Sequence, residues 1–396
     1  MLNRRAFVQR LGIGTVGTLS LLETPAQSAA LAVQNGARRA AIPADAIRIG
    51  SNENPNGPTA SAIDAARMAV TDGHRYPGAV TSKLIEAITT AHNVPAEQIM
   101  LSGGSGDLLR AAVRAFTSKE RALVTGSPSY EQPVRLAQLA GVPVHEVPLT
   151  ADLTLDLAPM LAKAGGSGLV YICNPNNPSS TIVPSARVRE LIEQVAKTSP
   201  STIVVVDEAY FEFADDPAYT TLVPLIARYP SVVIARTFSK IHGMAGMRVG
   251  YAMAQEKTLA AMREQHSPSG ISVMSFAAAA ASLADMAALQ RNQALNRETR
   301  IYTVSAFEKA GFRVAASQAN FVMVDVRRDA KAYGDAARSK GVYIGRPFPP
   351  LTNWARITIG TQQEMQRAVP VLLDLLKTPA TTAALRPLPA IYASWC

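Results

Sequence analysis

The chain has 396 residues, of which 48% are hydrophobic and 17% are charged. This length exceeds what one hydrophobic core usually supports and predicts about two or three domains, and the composition excludes a disordered scaffold. The formal net charge is +9, but the Lys and Arg residues are scattered and form no basic stripe interleaved with aromatic residues, which excludes a nucleic-acid-binding protein.

The N-terminus has the order of a secretory signal. Arg4 and Arg5 precede the uncharged run Leu11–Leu22, and small residues follow at 26–30. Because a membrane-spanning helix needs roughly 20 apolar residues, this run predicts a cleaved signal peptide at 1–30, not a stable membrane anchor. The paired arginines resemble a twin-arginine signal, which implies export to the periplasm or the medium. The alternatives are an Arg-rich transit peptide or a leader without a targeting role, with a cytoplasmic protein.

The next elements alternate between strands and helices. Pro and Gly forbid a helix in the extended arm Ile47–Pro58. Apolar runs of strand length follow at Ala122–Thr125, Gly168–Cys173, Thr202–Val206, Val232–Ala235 and Val249–Met253. Segments with helical periodicity, such as Ala186–Lys197, separate them. Continuously apolar strands that alternate with helices predict a mostly parallel α/β sheet covered on both faces.

A later group of strands predicts a second, smaller α/β domain. Its members are Phe321–Val326, Gly341–Ile344 and Ala355–Ile359. The predicted organisation is a signal peptide at 1–30, an arm with part of the small domain at 31–70, a large domain at 71–270, a small C-terminal domain at 271–378 and a Pro- and Ala-rich tail at 379–396. No metal site is expected, because the five histidines never approach Cys or carboxylates at zinc-site spacing. A bridge between Cys173 and Cys396 stays open.

Candidate functional residues lie where the apolar strands end, since ligands of parallel sheets bind beyond the carboxyl ends of the strands. The glycine-rich loop Ser102–Asp107 leads into a helix, whose free N–H groups suit a phosphate. Asn177, Asp207 and Tyr210 follow two other strands. A carboxylate at the end of a buried strand can keep the nitrogen of a pyridinium ring protonated, and a protonated ring of this kind acts as an electron sink when it is part of a cofactor. The alternative interpretation gives each of these residues an ordinary role in a turn or cap.

Two basic positions complete the pattern. Lys240 lies between an apolar strand and a Gly-rich loop, where partial burial lowers an amine pKa as Schiff-base chemistry requires. Thr237, Ser239 and Arg248 can hold a phosphate beside it. Arg356 interrupts an apolar strand, and burying an arginine is costly without an anionic partner. The alternatives are a surface lysine in a loop and an outward-facing strand arginine.

Together these motifs, in this order and spacing, resemble the fold-type I pyridoxal-phosphate (PLP) aminotransferases over about residues 45–375. The arm sequence Asn52–Pro55 resembles the histidinol-phosphate aminotransferase branch. The resemblance implies a large domain with a mostly parallel seven-stranded sheet and a smaller α/β C-terminal domain. It also implies that Lys240 forms a Schiff base with PLP and moves a proton at the substrate.

The same resemblance assigns roles to individual residues. The implied cofactor contacts are Gly104, Ser105, Gly106, Tyr130, Asn177, Asp207, Tyr210, Thr237, Ser239, Lys240 and Arg248. Tyr76 would complete the site of the neighbouring subunit in a homodimer. Asn54, Asn320, Arg346 and Arg356 would contact the substrate, with Lys240, Asp207 and Tyr210 as the catalytic set. The implied small-molecule partners are an amino donor and a 2-oxo acid acceptor.

Departures from the family pattern affect the substrate. Ser179 and Ser180 stand where relatives usually have Thr-Gly, and Asn56 replaces an aromatic that touches the substrate phosphate in some relatives. With the export signal, this favours an amino acid or related amine with an anionic group over histidinol phosphate. Two alternatives stay open: a PLP decarboxylase, lyase or synthase of the same fold, and a PLP-binding protein without turnover. The joint presence of the catalytic residues disfavours the second.

Overall fold

The computed structural model describes residues 42–266 and 270–377. The predicted signal peptide, the tail and Cys396 therefore lie outside the described residues. Of the described residues, 42–46 belong to one unit and the chain from Ile47 onward to another. In the first unit, the Ala46 N–H donates to the Pro43 carbonyl at 3.1 Å.

The elements of the second unit follow in chain order. The strands are β1 (Ile47–Ile49), β2 (Ile99–Ser102), β3 (Leu123–Ser127), β4 (Val144–Pro148), β5 (Leu169–Cys173), β6 (Ile203–Asp207), β7 (Val232–Thr237), β8 (Gly250–Ala254), β9 (Phe321–Asp325), β10 (Val342–Ile344) and β11 (Trp354–Thr358). The helices are α1 (Ala60–Ala69), α2 (Gly78–His92), α3 (Ser105–Phe116), α4 (Gln132–Leu139), α5 (Leu157–Ala164), α6 (Ser185–Thr198), α7 (Glu256–Glu264), α8 (Val273–Ala284), α9 (Met286–Lys309), α10 (Ala330–Ser339) and α11 (Gln362–Lys377).

The central feature is a seven-stranded sheet with the order β2-β8-β7-β6-β5-β3-β4. Among the described strands of this sheet, β8 runs in the opposite direction to the other six. Every residue of β5 and β6 is buried because helices cover both faces of the sheet. Within β6, Val204 and Val206 belong to one apolar cluster, and Ile203 and Val205 belong to a second apolar cluster. The predicted mostly parallel, seven-stranded α/β fold is confirmed.

Two strands of this sheet were not expected from the sequence. β4 lies at the sheet edge, and most of its side chains are exposed or only partly buried, so its sequence Val-His-Glu-Val-Pro shows no apolar run. β2 is only four residues long. Both lie at the ends of the strand order, where one side of the backbone has no neighbour.

A second group of elements packs around its own apolar cluster. β9 and β11 pair antiparallel, and β1 of the arm pairs parallel with β10 through Ile47 and Val342. The cluster includes Phe307, Val324 and Ile357, with side chains from α9, β9, β11 and α11.

Within the described residues, no single helix is both long and apolar enough to cross a membrane. The helices α8 and α9 reach the required length and apolar composition only when taken together, and they are bent by 78° relative to each other.

The sheet register brings the candidate residues to one edge. Cys173 at the end of β5 lies opposite Asp207 at the end of β6, and Asp207 lies opposite Ala235 of β7. Just beyond, Glu208 pairs with Arg236 at 2.6 Å, and both side chains are buried. This ion pair anchors the loop that follows β6 to β7.

Candidate active site

A cavity of about 560 Å³ opens at the carboxyl edge of the sheet. Most residues predicted for the site line it: Ser105, Gly106, Tyr130, Asn177, Asp207, Tyr210, Thr237, Ser239, Lys240, Arg248, Arg346 and Arg356. They come from the ends of β2, β3, β5, β6, β7 and β10 and the segments that follow them, from the residues before β8 and from within β11, yet they surround one volume. This cavity is therefore the candidate active site.

Lys240 extends into this cavity from the loop after β7. Its Nζ donates to the Asn52 carbonyl oxygen at 3.1 Å and lies 5.4 Å from the centre of the Tyr210 ring. Burial, and then the positive charge of Arg356, lower the pKa of the Lys240 amine to about 8. At pH 7 an amine with this pKa is neutral in roughly one molecule in ten, far more often than an ordinary lysine, and the neutral amine is the form that nucleophilic and acid–base chemistry requires.

Asp207 occupies the buried tip of β6. Its Oδ2 accepts from the Tyr171 hydroxyl at 2.9 Å, and its Oδ1 accepts from the Ala209 N–H at 3.1 Å. Burial raises the pKa of this carboxyl to about 6, against the lowering effect of the two hydrogen bonds. Within the described part of the chain, no Lys or Arg forms an ion pair with Asp207. A cationic ligand atom in the cavity would supply the missing partner.

Asn52 of the arm connects several site residues. Its Nδ2 donates to the Tyr210 hydroxyl at 3.1 Å, and its Oδ1 accepts from the Thr358 hydroxyl at 3.1 Å. Thr358 in turn accepts from the Asn52 N–H at 2.9 Å. Asn52 is buried at a positive φ of 54°, a conformation that asparagine tolerates better than most residues. Sequence reasoning missed this central role, although the Asn-Glu-Asn-Pro motif marked the position.

A second region of the cavity suits a phosphate. Arg248 Nη1 donates to Ser239 Oγ at 3.2 Å, and Thr237 Oγ1 donates to the same Ser239 oxygen at 3.0 Å. The first turn of α3 begins beside them, and N–H groups of a helix first turn have no partner within the helix. Gly104 has φ 95°, and a Cβ there would lie 2.3 Å from Arg248 Nη2. Glycine is thus required for Arg248 to reach this loop.

Tyr130 borders the cavity above the sheet edge. Its hydroxyl donates to Gln132 Oε1 at 2.9 Å, and Gln132 Nε2 donates to the Gly106 carbonyl at 3.0 Å. A Cβ on Gly106 would lie 2.6 Å from Gln132 Oε1. This chain of contacts fixes the tyrosine ring relative to the start of α3. Gln132 was not expected from the sequence, since a polar residue at the start of a helix carries no distinctive signal.

Arg356 is buried in β11 and turns into the cavity. Its Nη1 donates to Asn177 Oδ1 at 2.7 Å, and its Nη2 donates to the Gly50 carbonyl at 2.8 Å. The Nε is buried without a hydrogen-bond partner. Burial, together with nearby Arg346, lowers the pKa of Arg356 to about 10. The interpretation of Arg356 as an outward-facing strand residue is therefore wrong, and the guanidinium is available to an anion.

Four predicted residues lie outside the lining of this cavity: Gly104, Asn54, Asn320 and Tyr76. Asn54 donates to the Ile241 carbonyl at 2.8 Å, and Asn320 donates to the Asn52 carbonyl at 3.2 Å. Both border a second cavity of about 220 Å³. Tyr76 is fully exposed. The geometry gives the two asparagines a role in holding the arm, and their contact with substrate stays a prediction.

The residues present fit pyridoxal phosphate. A buried carboxylate without an ion-paired cation suits a protonated ring nitrogen, and Ser239, Arg248 and the start of α3 suit the phosphate. Lys240 lines the same cavity as both of these regions. An α/β fold with this site defines a PLP-dependent aminotransferase of fold type I.

Comparisons with known proteins agree. Residues 44–372 match the family "Aminotransferase class I and II", and the chain belongs to this family. It is 38% identical to the histidinol-phosphate aminotransferase of Symbiobacterium thermophilum, over 83% of this chain and 90% of that protein. It is 35% identical to histidinol-phosphate aminotransferase 1 of Cupriavidus pinatubonensis, over 84% and 88%. The PLP complex of the Sinorhizobium meliloti histidinol-phosphate aminotransferase superposes with a TM-score of 0.78 at 28% identity, covering 95% and 98%.

Asp207→Asn should affect the apoprotein and the holoenzyme in opposite ways. The folded-state pKa of about 6 lies above the ordinary 3.8, so the stability contributed by Asp207 is complete below pH 3.8 and is lost as the pH rises through 6. The apo variant should therefore gain in Tm relative to the apo wild type between pH 4.5 and pH 8. Its affinity for PLP should fall at least about tenfold, because the charge that pairs with the ring nitrogen is gone.

Thermal unfolding of the apoproteins at both pH values checks the first effect, and PLP titration checks the second. Asp152→Asn is the control, since that side chain is 90% exposed. A Tm difference between Asp207→Asn and wild type that does not change with pH would contradict the burial argument.

Proposed function

We propose that Lys240 binds the cofactor covalently and moves the proton at the substrate α-carbon during transamination. One observation supports this proposal. The Lys240 amine, whose pKa is lowered, lies on the wall of a cavity that also contains the buried Asp207 carboxylate, which has no ion-pair partner, and a region suited to a phosphate. When bound, PLP supplies an electron sink for the electrons left at the α-carbon. Lys240 supplies the general base and acid, which typically contributes about 10²- to 10⁴-fold to rate.

The remaining residues bind and orient. Asp207 would accept the ring N–H and keep it protonated, with Tyr171 fixing the carboxylate. Asn177 and Tyr210 would donate toward the phenolic oxygen, and Tyr130 would cover the ring face. Gly104, Ser105, Gly106, Thr237, Ser239 and Arg248, around the start of α3, would hold the phosphate.

We propose an amino acid or a related amine with one anionic group as donor, and a 2-oxo acid as acceptor. Arg356 would bind the carboxylate of each in turn, since its positively charged side chain lines the cavity. Asn56 supports this choice. It is exposed, donates to Asn292 Oδ1 at 3.4 Å and borders the second cavity, so it offers no evident contact for a distal phosphate.

Histidinol phosphate is the second candidate donor. It is supported by the names of the relatives, which include proteins 38% and 35% identical to this chain. Its phosphate would need Arg356 and Arg346 together. Decarboxylation by the same fold would show as release of carbon dioxide in place of a 2-oxo product, so measuring both products with each donor distinguishes the two reactions.

The Lys240 proposal predicts that borohydride reduction of the holoenzyme links the cofactor to the peptide containing Lys240, as seen by mass spectrometry. Lys240→Ala should still bind PLP noncovalently, because the phosphate region and Asp207 are unchanged, yet lose about 10²- to 10⁴-fold in turnover. Lys331→Ala is the matched control, since Lys331 is exposed and pairs with Asp335. Full activity of Lys240→Ala would refute the mechanism.

The donor proposal predicts that amino acids exceed histidinol phosphate in kcat/KM when both are compared at steady state. Arg356→Ala should lower kcat/KM for the preferred donor by roughly tenfold to a hundredfold or more, because a charged hydrogen bond is worth about 1.5–3 kcal/mol. Arg187→Ala removes an exposed arginine and is the control. A clear preference for histidinol phosphate would overturn the choice of donor.

We propose a homodimer with shared active sites. Tyr76 is 100% exposed, and the nearby apolar side chains of Met68 and Val70 are 78% and 62% exposed, as expected of a face covered by a second copy. If Tyr76 completes the partner's site, mixing unfolded Tyr76→Ala and Lys240→Ala chains and refolding them together should give hybrid dimers with one intact site. An active monomer in ultracentrifugation, or no gain of activity on mixing, would contradict the proposal.

We propose that residues 1–30 direct export through the twin-arginine route. The support is the order of Arg4-Arg5, the apolar run and the small residues in the sequence. A fusion of residues 1–40 to a reporter should be exported from a bacterial host. Replacing Arg4 and Arg5 by Lys should block export, and export that survives both changes would exclude this route.

A further inference from the structure

At the open end of the main cavity, the Glu131 carboxylate forms an ion pair with Arg346, the second arginine beside Arg356. Arg346 Nη2 donates to Glu131 Oε2 at 2.5 Å. The two side chains are 51% and 65% exposed, and both line the cavity. They come from distant parts of the chain: Glu131 precedes α4, and Arg346 follows β10. Only the tertiary structure brings this pair to the substrate end.

The pair lies against the same ring as Arg356. The Phe348 ring centre is 4.3 Å from the Arg346 guanidinium carbon and 4.6 Å from that of Arg356. The two guanidiniums therefore share one aromatic support, and the charge of Arg346 lowers the pKa of Arg356 while that of Glu131 raises it. Glu131 thus acts on both cations at this end of the cavity.

The charge balance distinguishes two kinds of donor. With Glu131 paired to Arg346, these three side chains carry a single net positive charge, which matches one carboxylate. A phosphate monoester carries about −1.5 to −2 charges at neutral pH and needs a second free cation. Glu131 would also repel such a group, and repulsion of the wrong ligand is an established source of specificity.

We propose that Glu131 is a specificity-determining positioning residue: by holding Arg346 in an ion pair, it favours carboxylate-bearing donors over phosphate-bearing donors. This rests on the proposed function in one respect, namely that Arg356 binds the anionic group of the substrate. A half-exposed ion pair contributes little to folding stability, so its removal should leave the fold intact and affect binding alone.

The test uses holoenzyme with the cofactor bound, so that the cofactor's own phosphate site is filled. Inorganic phosphate and acetate serve as competitive inhibitors. Glu131→Gln should lower the inhibition constant of phosphate about tenfold, because Arg346 is released to the dianion, and should change that of acetate less than about threefold. In the same variant, KM for histidinol phosphate should fall while kcat stays unchanged.

Glu146→Gln is the matched control. Glu146 borders a neighbouring cavity with Glu131 and Arg346, and it accepts from the Ser127 hydroxyl at 2.9 Å. The Glu146→Gln substitution also removes one negative charge beside this neighbouring cavity, and it leaves the ion pair between Glu131 and Arg346 intact. In a double-mutant cycle, Glu131→Gln should have no effect on phosphate inhibition once Arg346 is replaced by Met.

The outcomes separate this inference from the donor proposal. An unchanged phosphate-to-acetate ratio in Glu131→Gln overturns the inference, as does an equal shift in Glu146→Gln or a shift that persists without Arg346. A wild-type preference for histidinol phosphate overturns the donor proposal alone, since the inhibition constants do not depend on which donor is preferred.

Discussion

The buried carboxylate of Asp207 sets the requirements that the rest of the site meets. A carboxylate at the covered end of a parallel sheet loses much of its hydration, and burial raises its pKa to about 6. Two hydrogen bonds, from Tyr171 and the Ala209 N–H, only partly offset this cost. The site is therefore arranged to receive a cation, and the electron-sink chemistry of the cofactor depends on that cation staying protonated.

The arm is the second element on which the site depends. Asn52 binds Tyr210 through its side chain and Lys240 through its carbonyl oxygen, while Thr358 of β11 binds both its N–H and its Oδ1. Gly243 has φ 68°, and a Cβ there would lie 2.0 Å from the Gly57 carbonyl oxygen, so the loop after Lys240 passes directly against the arm. Each contact joins parts of the chain that lie far apart in sequence, so the geometry of Lys240 depends on the arm.

The substrate end of the cavity differs in kind from the cofactor end. At the cofactor end, buried groups and backbone fix the geometry closely. At the substrate end, Arg356 is buried, and Arg346 is half exposed and paired with the exposed Glu131. Exposed ion pairs contribute little to folding stability, so the fold tolerates substitutions at such positions. The same cofactor machinery can therefore serve different donors through changes at a few rim positions.

The sequence by itself determined the fold class and most of the residues that line the main cavity. Continuous apolar runs such as β5 and β6 specify buried parallel strands, and the polar residue that follows each run has to lie at the common carboxyl edge. Asp207 and Lys240 could be placed at that edge for this reason, and Arg248 lies just before the antiparallel β8, whose first residue pairs with the last residue of β7. The roles of the three residues come from the family resemblance and stay predictions. The edge strand β4 was not predicted, because a strand with mostly exposed side chains lacks the apolar signal.

Only the tertiary structure decided the contacts between distant segments. Asn52 meets Thr358 across 306 positions, and Glu131 meets Arg346 across 215. Such pairs leave no local pattern, because hydrophobic periodicity records which face of an element is buried and not which element covers it. Burial likewise appears only after folding, so the unpartnered Nε of Arg356 and the lowered pKa of Lys240 follow from packing that no single segment of sequence specifies.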